Sequence, residues 1–175
     1  MLTIEHIERT STGERGVVLR PLEPGDRAPL LEIFSGLSPR SRRQRFLTPK
    51  ARLTEADLRQ LTSVDDHDHV ALLAVTAADD RPVGIARFFR DPHHPDSADV
   101  AVAVVDAWQS RGIGTLLTHA LARRAVEVGV RRFTLSMAYD NQAARRLAHH
   151  GTHLTRLDVS SGTVELALLL PRDSL

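Results

Sequence analysis

The stretch "AWQSRGIG", Ala107 to Gly114, joins two unlike patterns. Before it, "ADVAVAVVD" (Ala98 to Asp106) is an almost unbroken apolar run. That composition predicts a strand covered on both faces, as in the parallel part of a sheet. After it, Ile113, Leu116, Leu117, Ala120, Leu121 and Val128 mark one face of a long helix that stops at Gly129. "RRFTLSMAY" (Arg131 to Tyr139) reads as the next strand. Strand, helix and strand over about 98 to 138 make a crossover unit, which implies parallel pairing of its two strands.

A Gly-rich turn between a strand and a helix N-terminus is an anion site. Unpaired N–H groups point outward there, and the helix dipole adds partial positive charge. Gly112 and Gly114 let an anion approach the backbone, and Arg111 can add a full charge. An ordinary tight connection is the plain alternative. A dinucleotide-binding turn would need a third glycine where Leu117 stands, and an acidic residue further on. A P-loop would need Gly-Lys-Ser/Thr, and Lys50 is the only lysine of the chain.

Outward from this unit, the pattern is mixed. "GVVLRPL" (Gly16 to Leu22) predicts a first strand. Leu30, Leu31, Phe34 and Leu37 predict a helix, which "SPRS" then breaks. Thr54 with Asp57 three residues on is close to a capping box and opens a short helix. "HVALLAVTA" (His69 to Ala77) and "VGIARFFR" (Val83 to Arg90) predict a hairpin, and "HLTRLDV" with "TVELALLL" a terminal one. "DNQAARRLAHHG" predicts a short helix capped by Asp140. The expected fold is therefore α/β. It is a single mixed sheet, antiparallel with a parallel central strand pair, with helices on both faces. Residues 1–14 read as a polar N-terminal arm, and 15–175 as the domain.

With 42% hydrophobic residues the chain can build a real core, and its net charge of +1 argues against nucleic acid as its main partner. "RSRRQR" (Arg40 to Arg45) stays open as a local anion site or a solvated face. Without cysteine there is no thiol nucleophile or thiolate metal site, and no metal is expected. No apolar run is long enough to span a bilayer, and the first residues lack the core of a signal peptide. A cytoplasmic protein without a membrane partner is expected.

"QSRGIG" (Gln109 to Gly114) resembles the Gln/Arg-x-x-Gly-x-Gly/Ala signature of the GNAT superfamily of N-acetyltransferases. The resemblance runs over roughly 16 to 170 and is strongest from 98 to 151. "LSPRSRRQRF", "LTSVDDHDHVALLAV" and "ADVAVAVVDAWQSRGIG" also resemble the Pat-type protein lysine acetyltransferase domains of bacteria. The resemblance implies acetyl-CoA as co-substrate, with its pyrophosphate on Gln109, Ser110, Arg111, Gly112, Ile113 and Gly114, and Thr115 adding an N–H. It implies pantetheine on the strand backbone at Val104 and Val105, with Asn141 touching the pantetheine arm and Arg145 reaching the cofactor. An alternative for Asn141 is a helix-terminus residue without a ligand.

The implied activity is acetyl transfer to a primary amine, on a protein lysine or a small molecule, by direct attack on the thioester. A lysine amine has a pKa near 10.4, so a base is useful. The Pat-type glutamate position is Asp99 here, one methylene shorter. The tyrosine that many family members use as general acid is replaced by Ala148. That leaves the acid unassigned, with His149 and His150 nearby and His93 and His94 as candidates to line the acceptor site. These departures keep a non-catalytic acyl-CoA-binding or sensing module open, and a homodimer stays open too.

Overall fold

The structure is a computed structural model that describes residues 16–148, 153–160 and 162–170. The arm over 1–14 and His149 and His150 lie outside the described residues. The elements in chain order are β1 (Val17–Pro21), α1 (Arg27–Ser35), α2 (Pro39–Phe46), α3 (Glu55–Thr62), β2 (His69–Thr76) and β3 (Pro82–Arg90). They continue with β4 (Ser97–Val104), α4 (Ile113–Glu127), β5 (Arg132–Ala138), α5 (Gln142–Ala148), β6 (His153–Ser160) and β7 (Thr163–Leu169).

The strands form one sheet in the order β1-β2-β3-β4-β5-β7-β6. Neighbours run antiparallel except β4 and β5, which are parallel. The expected mixed sheet with one parallel pair at its centre is the observed one. Alternation along β3 divides its side chains between two cores. Ala86 and Phe88 join Ile113, Leu117 and Leu121 of α4 on one face. Ile85 joins Leu30 and Ile33 of α1 and Leu58 of α3 on the other. Gly84 marks the tightest approach to α4, since a Cβ there would lie 3.1 Å from Leu117 Cδ1.

Local chemistry differs from the sequence reading at three places. "SPRS" does not end the helical region. Ser38 caps α2 by accepting from the Ser41 N–H, and Pro39 takes the first helical turn, where its missing N–H costs nothing. Leu31 is 46% exposed, and Ile33 fills the core position instead. The helix turns Leu31 outward because Leu30, Ile33, Phe34 and Leu37 already complete the buried stripe. Asn141, not Asp140, caps α5, with its Oδ1 accepting from the Ala144 N–H at 3.0 Å. The capping box at Thr54 and Asp57 forms as read.

Candidate active site

The parallel ladder between β4 and β5 is short. It joins Ser97 to Arg132, Ala98 to Phe133 and Asp99 to Thr134, and stops there. β4 runs on to Val104 beside β3, while β5 runs on to Ala138 beside β7. The two strands part into a fork, and among the described residues the backbone of β4 on that side has no strand partner. Successive strand residues turn their N–H and C=O groups to opposite edges. The Val105 N–H donates to the Val83 carbonyl at 2.9 Å, so this donor belongs to the β3 side. The Val104 carbonyl faces the fork and accepts from Gln109 Nε2 at 3.0 Å.

The chain then makes a 3-10 turn at Asp106–Trp108, so the strand ends two residues before Asp106. Ser110 at φ 59° and Gly112 at φ 79° are both left-handed. Left-handed residues of this kind recur in the backbone turns that form anion-binding concavities. Gly112 caps α4 without a side-chain bond, which leaves the first N–H groups of α4 pointing outward. No atom lies within 4 Å of a Cβ built on Gly112, so the space outside the turn is open. Ile113 buries its side chain in the core, so only its backbone can serve a ligand. Thr115 lies in the first turn of α4, and Gly114 accepts from the Thr118 hydroxyl at 2.7 Å. Arg111 folds back, its guanidinium over the Trp108 ring at 4.8 Å and donating to the Ala107 carbonyl at 3.0 Å.

The turn is also fastened to the helical layer. Gly36 accepts from the Asp106 N–H at 3.2 Å, and the Gln109 amide reaches Ser41 Oγ at 3.4 Å. Burial works against charge on Asp106. The hydroxyls of Ser38 and Ser41 and the Ser38 backbone nevertheless hold its carboxyl below the ordinary range. Across the fork, Asn141 is engaged in capping, and Arg145 lies over the Tyr139 ring at 4.7 Å.

Asp99 occupies the last rung before the fork and stays open to solvent. Partial loss of hydration raises its carboxyl above the ordinary range, and Glu165 adds to this. The Thr134 hydroxyl and the Arg45 charge oppose the rise. His93 and His94 stand in the loop before β4. There the His93 N–H bonds Asp91, and His94 Nδ1 lies 2.9 Å from Asp91 Oδ2. Among the described residues no group of three or more His, Asp or Glu could hold a metal ion.

The sequence reading missed a basic cavity beside this site. Arg87 is only 2% exposed and projects from β3 to the same face as Asp99 of β4. Its Nη1 donates to the Leu61 carbonyl at 2.8 Å and lies 3.4 Å from His69 Nε2. Arg45 of α2 lines the same cavity. Burial, with the like charge of Arg45, pulls Arg87 down to about 9. Burial pulls Arg45 to about 10, against the attraction of Asp99. Both remain cations at neutral pH. A lone arginine inside the apolar run of "VGIARFF" was the available signal.

A strand pair that parts beside a glycine-rich helix N-terminus is the architecture of an acyl-CoA-dependent transferase. The chain belongs to the acetyltransferase (GNAT) family, whose family model matches residues 33–152. It is 36% identical over 129 residues to acetyltransferase Pat of Mycolicibacterium smegmatis, covering 74% of this chain and 38% of that protein. It is 30% identical over 135 residues to acetyltransferase PA5475 of Pseudomonas aeruginosa, covering 76% of this chain and 72% of that protein. The GNAT domain of S. lividans PAT superposes with a TM-score of 0.79 at 28% identity, covering 89% of this chain and 91% of that one. The chain thus spans well under half the length of the mycobacterial relative.

Proposed function

We propose that this chain transfers an acetyl group from acetyl-CoA to a primary amine, on a protein lysine or a small molecule. The observation that carries this reading is the fork itself. It joins an unpaired strand edge at Val104, a carboxylate at Asp99 on the last rung, and the outward N–H groups from Gly112 to Thr115. Diphosphate oxygens suit those N–H groups and the positive end of the α4 dipole. Gln109, Ser110 and Arg111 shape that cradle, and a pantetheine arm suits the open edge of β4. Asn141 and Arg145 flank the opposite side of the fork.

In this reading Asp99 takes a proton from the incoming ammonium, directly or through one water, and passes it to solvent. The neutral amine attacks the thioester carbon, so a C–N bond forms and the C–S bond breaks. The thiolate leaves with the electron pair, and the second amine proton goes to it or to water. The raised affinity of Asp99 for protons makes it a better base than an ordinary carboxylate.

The test is a CoA-release assay with acetyl-CoA and a panel of small amines and lysine peptides, run beside calorimetry with acetyl-CoA. Acetyl-CoA binding together with amine-dependent CoA release is expected. Binding without release for any acceptor would replace the transferase by an acyl-CoA-binding module.

A further inference from the structure

We propose that the cavity between α1, α2 and the sheet is a carboxylate subsite for the acceptor. Arg87 and Arg45 would be its two cations, and the acceptor a small aminocarboxylate whose amine meets Asp99. This rests on the transferase reading given above for Asp99.

The observations are independent of that reading. Arg87 is 2% exposed, and among the described residues its Nε has no hydrogen-bond partner. A buried charge without a counter-ion costs several kcal/mol, so native interiors pair such groups. The charged group that acts most strongly on Arg87 is Arg45, which repels it. Among the described residues the carboxylate that bears on Arg45 is Asp99, on the fork side. Leu30, Ile33, Leu61 and Ile85 make the remaining wall apolar. Two cations in an apolar cavity leave one anion to be supplied from outside.

Size and spacing narrow its chemistry. The cavity has about 30 Å³ of open space, room for two or three water-sized groups. A planar carboxylate fits that room and matches a guanidinium edge with two parallel hydrogen bonds. Arg87 faces Ala101 across the β3–β4 ladder, two residues along from Asp99 and one strand over. Strand rise and spacing then separate the two backbone positions by about 8 Å. An acceptor with several methylenes between amine and carboxylate spans that gap better than an α-amino acid.

The direct test titrates the CoA-saturated full chain, by calorimetry, with 5-aminopentanoate, pentanoate, pentylamine and inorganic phosphate. Pentanoate and 5-aminopentanoate should bind at least tenfold more tightly than pentylamine, and phosphate should not compete with them. Arg87→Met should abolish the carboxylate advantage. Because Arg87 is buried, the half-buried Arg45→Gln is tested alongside it, after melts show both folded, and should weaken the same advantage at least threefold. Equal binding of pentylamine and 5-aminopentanoate, or displacement by phosphate, would overturn the subsite. The CoA-release assay separates the two readings. Turnover of pentylamine and 5-aminopentanoate with equal kcat/KM leaves a transferase without this subsite. Arg87-dependent pentanoate binding with no turnover of any amine leaves the subsite without the transferase.

Discussion

Asp99 and Thr134 face each other on the last rung of the parallel ladder, and the Thr134 hydroxyl donates to Asp99 Oδ1 at 3.4 Å. Beyond this pair β4 and β5 share no rung, so the carboxylate stands where the fork opens. Replacing Asp99 by Asn keeps its size and removes its basicity. We expect kcat to fall about 10²- to 10⁴-fold with acetyl-CoA affinity unchanged. Asp99→Glu should stay active. Because the carboxyl is held above its ordinary range, the rising limb of kcat/KM against pH should lie above the ordinary aspartate value. Steady-state CoA release by the variants checks this, and near-parental turnover by Asp99→Asn would end the assignment.

The same shift predicts a stability effect. The folded state binds the Asp99 proton more tightly than the unfolded chain does. Stability therefore falls as pH rises from the ordinary aspartate range through the raised value, and stays lower above it. Asp99→Asn should melt higher than the parent at neutral pH. The difference should close as the pH is lowered past the ordinary range. Melting curves across that window should show the two lines converge in acid; parallel lines would mean that Asp99 is not the group responsible.

At the turn, Gly112 has φ 79° and open space around it. Aspartate tolerates the left-handed region better than most residues, so Gly112→Asp should fold. It would set a negative charge where the diphosphate is proposed to bind. Acetyl-CoA affinity should drop at least tenfold, about 1.4 kcal/mol. Calorimetry with acetyl-CoA on parent and variant measures it, and equal affinities would move the cofactor site elsewhere.

Gly36 tests the fastening of the helices to the turn. Its φ of −79° suits any residue, but an added Cβ would lie 2.7 Å from Val105 Cγ1. Gly36→Ala must push Val105 aside and strain the Gly36–Asp106 backbone bond. Overpacking of this kind costs about 1–3 kcal/mol. Denaturant unfolding should show the loss, and the Gly36→Ala, Val105→Ala double variant should recover part of it. A double variant as unstable as the sum of the two single ones would argue against the contact.

His69 supplies acid sensitivity. It is buried, stacks on Phe89 at 3.8 Å between ring centres, and has Nδ1 3.1 Å from the Ser63 carbonyl. Burial first, then the Arg87 charge, lowers it from 6.5 to about 4. The unfolded chain takes up the proton first as pH falls. The stability that neutral His69 confers is complete above 6.5 and is lost down to about 4. The loss is at most about 3 kcal/mol. His69→Gln should flatten this part of the stability curve, measured by urea unfolding at a series of pH values. An unchanged slope would exclude His69 as its source.

The parts of the fold legible in the sequence are those set by short-range rules. An almost unbroken apolar run marked β4 and a period-3.6 pattern marked α4, and a crossover from β4 to the next strand forces the two parallel. Gly112 and Gly114 marked the turn ahead of α4, and Thr54 with Asp57 showed the α3 cap. The position of Asp99 early in its strand was legible for the same reason. "SPRS" was misread because Ser-Pro both ends one helix and caps the next, and packing against β4 and β5 adds support to the arginine-rich α2.

Tertiary structure alone decided where β4 and β5 part. That point depends on β4 staying with β3 while β5 follows β7, a competition between ladders far apart in the chain. It also decided that the Val105 N–H belongs to β3. The cavity of Arg45 and Arg87 belongs here too. Sequence supplies two arginines on a helix and a strand with no local pattern linking them. Their charges meet only when α2 closes over the sheet, burying Arg87 and half-burying Arg45.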